Sequence, residues 1–337
     1  MEKRDVVIVG AGPSGLKAAE ILAKNGRDVL ILEKNNIIGP KVCAAGLTAK
    51  DENLVDKEVI ERTFSSVIVA SKNQRIRISN DKPFVYTTTR YKLGQWQLKQ
   101  AEKAGAEIRT NSAVSSIKNN SVIVDNNEIK FNYLIGADGS GSIVRRHLGL
   151  KNDRVHMAIQ YIIEQEFEDM ELIVNGSLFS YGYAWVFPYE KSASVGCGAD
   201  LRHIKTMQLK ENLHKWMEER KINYKNGVFE AFIINYDYRG FQFGNKFLVG
   251  DAAGFTSGLS GEGIYSAILS GHEVAKKIID KDYGLGELNK YLKLKRRHER
   301  ILNFLERSQK LTNLKQEILV FLLRSKFFSR KALQLVT

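Results

Sequence analysis

Three glycines near the start of the chain have the spacing of a phosphate-binding turn. Gly10, Gly12 and Gly15 follow a continuous apolar run, residues 6–9, which is typical of a strand buried on both faces. The first glycine permits a tight turn, the second lets the backbone approach a pyrophosphate, and the third lets a helix pack closely on the strand. The helix predicted over residues 13–25 points its free N–H groups at the phosphates.

An acidic residue ends the second predicted strand, residues 28–32. Glu33 can accept a hydrogen bond from a ribose 2′-hydroxyl, which disfavours a nucleotide that carries a 2′-phosphate. Strand, glycine turn, helix and acid occur in register, with Ser14 in the first turn of the helix. Together they predict a dinucleotide site.

A second glycine-rich turn lies near the other end of the chain. Residues 247–249 predict a buried strand, a glycine-rich stretch follows, and residues 264–279 predict a helix. The small residues allow the backbone to lie against a flat ligand, and Asp251 is suited to bond a sugar-alcohol hydroxyl. The helix N-terminus near residues 261–264 can stabilise negative charge on a reduced flavin ring. The two turns together predict FAD held between the two ends of the chain.

The turns resemble those of FAD-dependent oxidoreductases of the aromatic-hydroxylase type, and within them the sequence is most similar to the geranylgeranyl reductase family. Four further segments carry this resemblance: KVCAAGL at 41–47, RYKLGQWQLKQAEKAG at 90–105, LIGADGSGSIVRR at 134–146 and YAWVFP at 183–188. The resemblance covers residues 4–280. Three positions depart from the family pattern: Ser180 and Gly258 replace a usual proline, and Gly94 replaces a usual aspartate.

The resemblance implies an enzyme that saturates carbon–carbon double bonds of an isoprenoid chain by hydride transfer from reduced FAD. It implies that Arg90 reaches the flavin or its pyrophosphate, that the backbone at Val114 binds adenine, and that the loop from Cys43 to Gly46 lies against the flavin. The electron donor is either NAD(P)H or a reduced ferredoxin, and the sequence leaves both open. It also identifies no proton donor for the alkene: Cys43, Tyr183 and a bound water stay unranked.

Three aromatic residues alternate along one predicted strand. Tyr183, Trp185 and Phe187 therefore share one face of that strand. This face is either the wall of an apolar substrate pocket or part of the core, and the resemblance favours the pocket. The candidate cofactor-binding residues are Gly10, Gly12, Ser14, Gly15, Glu33, Cys43, Ala44, Gly46, Arg90, Val114, Asp251, Gly261, Gly263 and Ile264, and no residue is assigned as catalytic.

These motifs predict an α/β (α+β) fold with three parts. The first is a discontinuous Rossmann-type FAD-binding domain of residues 1–66, 90–152 and 240–287. An antiparallel-sheet substrate domain, residues 67–89 and 153–239, is inserted into it. A basic helical C-terminal region, residues 288–337, follows.

The charge of the chain is concentrated in that C-terminal region. Residues 290–337 carry 13 basic and 3 acidic side chains, a net of +10 within a total of +13. This distribution argues against a globally basic nucleic-acid-binding protein and for a basic tail. The tail either lies on an anionic membrane through Leu- and Phe-rich faces or packs those faces on the body; the pattern leaves the two level.

Composition limits the remaining options. Two cysteines, Cys43 and Cys197, fit a reducing compartment and exclude a cluster held by four cysteines of this chain. The six histidines lack metal-ligand spacing, so no metal is expected. No apolar run of about 18 residues occurs, and charged residues precede the first strand, so neither a transmembrane helix nor a secretory signal is expected. The predicted location is cytoplasmic, and the membrane-binding alternative for the tail would add peripheral binding to the inner face of the membrane.

Three rival functions share part of this pattern. An FAD monooxygenase of an aromatic or quinone substrate shares the glycine turns, but the segments at 41–47 and 183–188 speak against it. A membrane-associated electron carrier to quinone is weakened by the lack of cluster cysteines. A non-enzymatic basic protein would bind lipid or nucleic acid through residues 290–337 and would be colourless.

Overall fold

The protein was analysed as a computed structural model, which describes residues 2–307 and 311–336 as three sheets and ten α-helices. The strands are β1 (Glu2–Val9), β2 (Val29–Leu32), β3 (Gly46–Thr48), β4 (Arg62–Phe64), β5 (Ser66–Ala70), β6 (Arg75–Ser79), β7 (Val85–Thr87), β8 (Glu107–Arg109), β9 (Val114–Ile117), β10 (Ser121–Val124), β11 (Asn127–Gly136), β12 (Val155–Ile163), β13 (Met170–Ile173), β14 (Tyr183–Pro188), β15 (Ala193–Asp200), β16 (Val228–Asn235), β17 (Gln242–Phe243) and β18 (Lys246–Leu248). The helices are α1 (Pro13–Lys24), α2 (Arg90–Lys103), α3 (Ile143–His147), α4 (Gly176–Phe179), α5 (Thr206–Glu219), α6 (Gly250–Ala253), α7 (Ile264–Ile279), α8 (Gly286–Glu306), α9 (Thr312–Leu322) and α10 (Lys326–Val336), and two short 3-10 helices span Ala49–Asn53 and Lys57–Val59.

The first sheet is the nucleotide-binding sheet predicted from the sequence. Its strand order is β17-β18-β11-β1-β2-β8, with β10 and β9 added beside β11. β1 pairs in parallel with β2 and β11, and β18 pairs in parallel with β11. Val6 and Ile8 pack in the core with α1 and α7, whereas Val7 and Val9 pack in the core on the other face. The continuous apolar run is therefore explained by burial on both faces.

The second sheet has seven strands in the order β16-β12-β15-β14-β13-β5-β6, and its pairs are antiparallel except β13 with β5. α5 contributes Leu209, Leu213, Trp216 and Met217 to the core beside this sheet. Cys197 on β15 is fully buried there. The expected fold class, a Rossmann-type domain with an inserted antiparallel sheet and a helical C-terminal part, is confirmed.

One strand lies in a different sheet from the one predicted. Residues 85–87 were expected in the substrate sheet with 67–89, but β7 pairs with β3 and β4 in a separate three-stranded sheet. Thr87 also donates from its hydroxyl to the carbonyl of Pro188, at 2.7 Å. A period-two pattern identifies a strand, but it does not identify the partner of that strand, so sheet membership had to come from the tertiary structure.

The C-terminal helices differ in whether their apolar residues are buried or exposed. α8 buries Leu288, Tyr291 and Leu302 against the body. α9 buries Thr312, Gln316 and Val320. Four apolar residues, Leu311, Leu314, Ile318 and Phe321, share a different side of this segment, and that side is not the buried one. Those four residues, and others like them in α9 and α10, are exposed: Leu311, Leu314, Ile318, Leu319, Phe321, Leu322, Phe327 and Phe328. In the described ranges, 2–307 and 311–336, no helix is long and apolar enough to cross a bilayer.

Candidate functional site

The two glycine turns lie in contact. β11 separates β1 from β18, and Gly136 on β11 is opposite both Val9 and Leu248. The turn after β18 therefore reaches the helix that follows the turn after β1: a Cβ placed on Gly250 would lie 2.8 Å from the Ser14 hydroxyl oxygen. The two ends of the chain thus build one site.

Each glycine of the first turn has a distinct steric role. A Cβ on Gly15 would lie 2.1 Å from the carbonyl oxygen of Gly10, so only glycine lets α1 come this close. Gly10 has φ +101° and would place a Cβ 2.6 Å from the carbonyl oxygen of Ala137. Gly12 has nothing nearer than 3.8 Å, and as the N-cap of α1 it offers no side-chain cap. The first N–H groups of α1 are therefore without a side-chain partner at an open position.

Glu33 holds the first turn in place. It is buried, and its two carboxylate oxygens accept the N–H groups of Ala11 at 2.8 Å and of Asn35 at 2.9 Å. Its backbone carbonyl accepts the N–H of Ser112 at 2.8 Å, which brings the chain leading into Val114 to the same sheet edge. A carboxylate has about four acceptor positions, so Glu33 retains capacity for a ribose hydroxyl.

Asp251 is the charged centre of the second turn. One carboxylate oxygen accepts the Lys41 ammonium at 2.9 Å, and the other accepts the Thr256 hydroxyl at 2.6 Å. Burial acts against ionisation, but the charge of Lys41 and these hydrogen bonds hold the pKa of Asp251 below its usual value. Lys41 was not among the candidates, although it opens the KVCAAGL segment.

The loop of Cys43, Ala44 and Gly46 packs against the substrate sheet. The Tyr189 hydroxyl donates to the carbonyl of Ala44 at 3.0 Å, and a Cβ on Gly46 would lie 2.5 Å from the Phe187 ring. Cys43 is half-buried, and its sulfur accepts the N–H of Ala45 at 3.3 Å. The small residues of this loop are required because an aromatic side chain lies directly against the backbone.

The aromatic face of β14 touches the second turn as well. The Tyr183 hydroxyl donates to the carbonyl of Ser260 at 2.7 Å, and a Cβ on Gly261 would lie 2.6 Å from that hydroxyl. Trp185 lies between its two neighbours on the strand, is buried, and donates from its indole to Ser194 at 2.9 Å. α7 begins just beyond, at Ile264, and its N-cap Gly263 supplies no side-chain hydrogen bond. The predicted substrate residues and the predicted flavin loops are therefore neighbours.

Unpaired polar atoms surround this junction and fit a bound FAD. Arg90 Nε and Asp138 Oδ1 are buried and have no hydrogen-bond partner among the described residues. The other Asp138 oxygen accepts the N–H of Ile143 at 2.6 Å, so this residue also holds the turn before α3. One guanidinium N–H and one carboxylate oxygen lack hydrogen-bond partners among the described residues, and two helix N-termini lack side-chain caps; such groups suit a ligand with phosphates and a polar ring edge.

The three departures from the family pattern have steric causes. Ser180 has φ +53°, which proline cannot adopt because its ring fixes φ near about −65°. A Cβ on Gly258 would lie 2.6 Å from the Tyr236 ring, and a Cβ on Gly94 would lie 2.4 Å from Cα of Gly39. Local packing in this chain therefore excludes the usual residues.

Comparison with known proteins agrees with this geometry. The FAD binding domain family matches residues 3–287. The digeranylgeranylglycerophospholipid reductase of Thermoplasma acidophilum is 32% identical, over 89% of this chain and 85% of the relative. The chain belongs to the geranylgeranyl reductase family of FAD-dependent oxidoreductases. FAD is therefore its cofactor. An uncharacterized protein of Methanosarcina barkeri is 33% identical, over 89% of this chain and 80% of the relative.

Solved structures give the same family and the same fold. A geranylgeranyl bacteriochlorophyll reductase-like protein from Thermoplasma acidophilum superposes with a TM-score of 0.80 at 27% identity, covering 95% of this chain and 91% of that one. A probable FAD-dependent monooxygenase from Pseudomonas aeruginosa gives 0.70 at 17% identity, over 93% and 97% of the two chains. The second likeness concerns the fold alone.

One cluster of possible metal ligands is hydrogen-bonded to an arginine side chain. Within the described ranges, the ligand atoms of Asp200, His203 and Glu306 lie within 4.8 Å of one another. Arg202 donates to both carboxylates, at 2.7 Å and 2.8 Å. Its guanidinium is hydrogen-bonded to an oxygen of each acid, so we assign no metal there.

A surface hollow of about 520 Å³ lies behind the Asp138 turn and is also not assigned a ligand. Its largest charged group, Arg145, is almost fully buried. Arg145 donates to the backbone carbonyls of Lys151, Asp237 and Ala252. This guanidinium stabilises the fold and is not free for an anion.

Proposed function

We propose that this protein uses FAD to saturate carbon–carbon double bonds in the geranylgeranyl-type chain of a lipid. The contact of the aromatic strand β14 with both flavin loops carries the proposal, because it brings an apolar wall to the place where the flavin ring belongs. The similarity to the digeranylgeranylglycerophospholipid reductase of Thermoplasma acidophilum supports it.

Different residues of the site would bind different parts of FAD. The N-terminus of α1 at Gly12 would hold the pyrophosphate, with Ser14 beside it, and Glu33 would bind the ribose. The backbone near Val114 would bind the adenine, and Asp251 would bind the sugar-alcohol chain. The loop Cys43, Ala44 and Gly46 and the turn Gly261, Gly263 and Ile264 would hold the flavin ring. Arg90, at the start of α2, would supply a positive charge to this ligand.

When bound and reduced, FAD supplies the hydride for the double bond. The chain orients the substrate and excludes water. Phe187 packs on Gly46, Tyr183 packs on Gly261, and Trp185 fills the space between them. This face holds an apolar chain against the flavin loops because aromatic side chains offer a large dry surface at fixed positions.

We also propose that α9 and α10 lie on an anionic membrane. α9 uses polar residues to dock on the body: Gln316 donates to the carbonyl of Ser180 at 3.1 Å, and Glu317 accepts the Ser71 hydroxyl at 2.8 Å. Apart from the buried Val320, the large apolar residues of α9 face outward: Leu314, Ile318, Leu319, Phe321 and Leu322. Basic residues flank them, and the Lys331 ammonium lies 4.3 Å from the centre of the Phe327 ring. Exposed phenylalanine and leucine between basic residues match the chemistry of an anionic lipid surface.

Membrane binding through α9 and α10 would bring the site close to a lipid substrate. The proposed location is the inner face of the cytoplasmic membrane, and the proposed electron donors are NAD(P)H and reduced ferredoxin. One glycine turn serves FAD, so NAD(P)H would bind without a nucleotide domain of its own. The rates of anaerobic flavin reduction by NADPH and by reduced ferredoxin distinguish the two donors.

Incubation with lipid tests the function. The FAD-loaded protein is reduced without oxygen, mixed with digeranylgeranyl glycerophospholipid, and the lipid is analysed by mass spectrometry. We expect the lipid to gain two hydrogens for each bond reduced. An unchanged lipid mass with fully reduced flavin rejects the proposal, and oxygen consumption stimulated by a phenol would favour the monooxygenase instead.

A further inference from the structure

A chain of buried acids lies beneath the second glycine turn. The Thr48 hydroxyl lies 3.3 Å from a carboxylate oxygen of Asp51 and 3.3 Å from one of Glu262. The backbone N–H of Thr48 also donates to Asp51, at 2.8 Å. Asp51 is 1% exposed, and the Glu262 side chain is 8% exposed. One hydroxyl thus links two carboxyl groups that are shielded from water.

The charges of this cluster do not balance unless it holds a proton. Its one cation, Lys50, lies 3.9 Å from Glu262 and can compensate one carboxylate. A second buried carboxylate without a cation would be strongly unfavourable. Burial raises the pKa of Asp51 to about 7, and burial also raises the pKa of Glu262. Lys50 Nζ, Asp51 Oδ1 and Glu262 Oε2 all lack hydrogen-bond partners within the described part of the chain.

The cluster reaches the substrate side of the site. Glu262 stands between Gly261 and Gly263, the two glycines proposed to border the flavin ring. The position of a Cβ on Gly261 is 2.6 Å from the Tyr183 hydroxyl. Burial, together with the charges of Cys43 and Glu262, raises the pKa of Tyr183, so this hydroxyl keeps its proton at neutral pH. The Tyr183 hydroxyl donates to the carbonyl of Ser260, two residues before Glu262, so Tyr183 is the polar group of the aromatic face that contacts the turn carrying Glu262.

We propose that Asp51, Thr48 and Glu262 form a proton store that supplies the second hydrogen of the alkene reduction through the Tyr183 hydroxyl. This rests on the proposed function. The π bond of the alkene breaks, one carbon receives the hydride, and the other carbon receives the Tyr183 proton. The phenol oxygen takes a proton that passes from Asp51 through the Thr48 hydroxyl and Glu262, and water returns a proton to Asp51 before the next turnover. FAD is oxidised by two electrons, and the alkene gains one hydride and one proton.

Ionisable groups from several elements of the fold surround the proton store. Asp51, Thr48 and Glu262 are positioning residues, because they act through Tyr183. The charged and ionisable groups that face the pair are Lys50 from the 3-10 helix, Cys43 from the flavin loop, Tyr183 from β14, Tyr265 from α7 and Tyr291 from α8, with Glu273 and Glu287 beyond Tyr265. Lys50 is the one cation among them.

The reoxidation of reduced flavin by the alkene tests the proposal. The reduced, FAD-loaded full chain is mixed without oxygen with digeranylgeranyl glycerophospholipid in detergent, and flavin absorbance is followed. We expect Glu262→Gln, Asp51→Asn and Tyr183→Phe to slow reoxidation about 100-fold or more. FAD content and flavin reduction by dithionite should stay unchanged in all three variants. The melting temperature of Asp51→Asn should not fall below that of the wild type at neutral pH, because this variant has no buried carboxylate to ionise at position 51. Glu273→Gln is the matched control, because Glu273 is a buried acid of α7, the helix that follows Glu262, and accepts the Tyr283 hydroxyl instead.

Infrared spectroscopy provides a readout that is independent of turnover. The wild type should show a protonated-carboxyl band that disappears as the pH is raised through about 7, and the band should be missing in Asp51→Asn but present in Glu273→Gln. Wild-type reoxidation should slow over the same pH range. The proton store is overturned if Glu262→Gln and Asp51→Asn reoxidise at the wild-type rate or if no such band exists. If the lipid does not reoxidise the reduced flavin of the wild type, the proposed function is wrong, and the proton store, which rests on that function, is wrong as well.

Discussion

Lys41 and Asp251 form an ion pair of 2.9 Å that joins the KVCAAGL loop to the second glycine turn. Neither segment is near the other in the sequence, and Asp251 lies on the turn that also contacts α1. The pair therefore ties the loop proposed to lie on the flavin to the residue proposed to bind its sugar-alcohol chain.

Replacing one partner of this ion pair should destabilise the fold more than replacing both partners. Lys41→Met leaves the Asp251 carboxylate with the Thr256 hydroxyl and the charge of Arg90 but without its ion-pair partner, so we expect a loss of about 2 kcal/mol in the free energy of unfolding. Adding Asp251→Asn should recover part of that loss. Denaturant unfolding of the wild type, both single variants and the double variant measures the coupling. Strictly additive effects would contradict an interaction between the two side chains.

Two glycines of the first turn should respond differently to alanine. Gly15→Ala places a methyl group 2.1 Å from the Gly10 carbonyl oxygen, so we expect destabilisation of about 3 kcal/mol or failure to fold. Gly12→Ala has room for its methyl group, so the fold should persist. That methyl group occupies the proposed pyrophosphate position, and we expect FAD to bind about tenfold more weakly.

Thermal unfolding and FAD titration of the two variants check this pair of expectations. Tight FAD binding by folded Gly12→Ala would place the pyrophosphate elsewhere. Normal stability of Gly15→Ala would mean that α1 does not pack as closely on the turn as the structure has it.

The stability of the protein should depend on the ionisation of Asp51. Because burial raises its pKa from an ordinary 3.8 to about 7, the folded protein keeps a proton that the unfolded chain releases between these values. The stabilisation is complete below about pH 4 and is lost as the pH rises through about 7. Asp51→Asn should remove this dependence. Denaturant unfolding at several pH values measures it, with Glu273→Gln as the control, and an identical pH dependence in wild type and Asp51→Asn would contradict it.

Membrane binding should depend on the exposed aromatic residues of α9 and α10. Replacing both Phe321 and Phe327 by serine removes about 3 kcal/mol of apolar burial in lipid, so binding to vesicles with anionic headgroups should weaken about 100-fold. Phe229→Ser is the control, because Phe229 is also exposed but lies on the edge strand β16. Vesicle sedimentation measures the effect. Equal binding by all three proteins would indicate that another surface contacts the lipid.

The sequence predicted the nucleotide-binding elements well because their patterns are local. The apolar run and the three glycines identify β1 and α1, and the helix predicted over residues 264–279 matches α7 at both ends. Steric requirements of a turn depend on residues next to each other, so spacing alone reveals them.

Contacts between distant segments were decided only by the tertiary structure. The local pattern around β7 could not show that it leaves the substrate sheet, and nothing near Asp51 indicates that Glu262 lies one hydroxyl away. The tail shows the same limit: periodicity gave α9 an apolar face, but its polar residues Gln316 and Glu317 make the contacts with the body. Sequence patterns report which side chains share a face, whereas the partner of that face depends on where the rest of the chain folds.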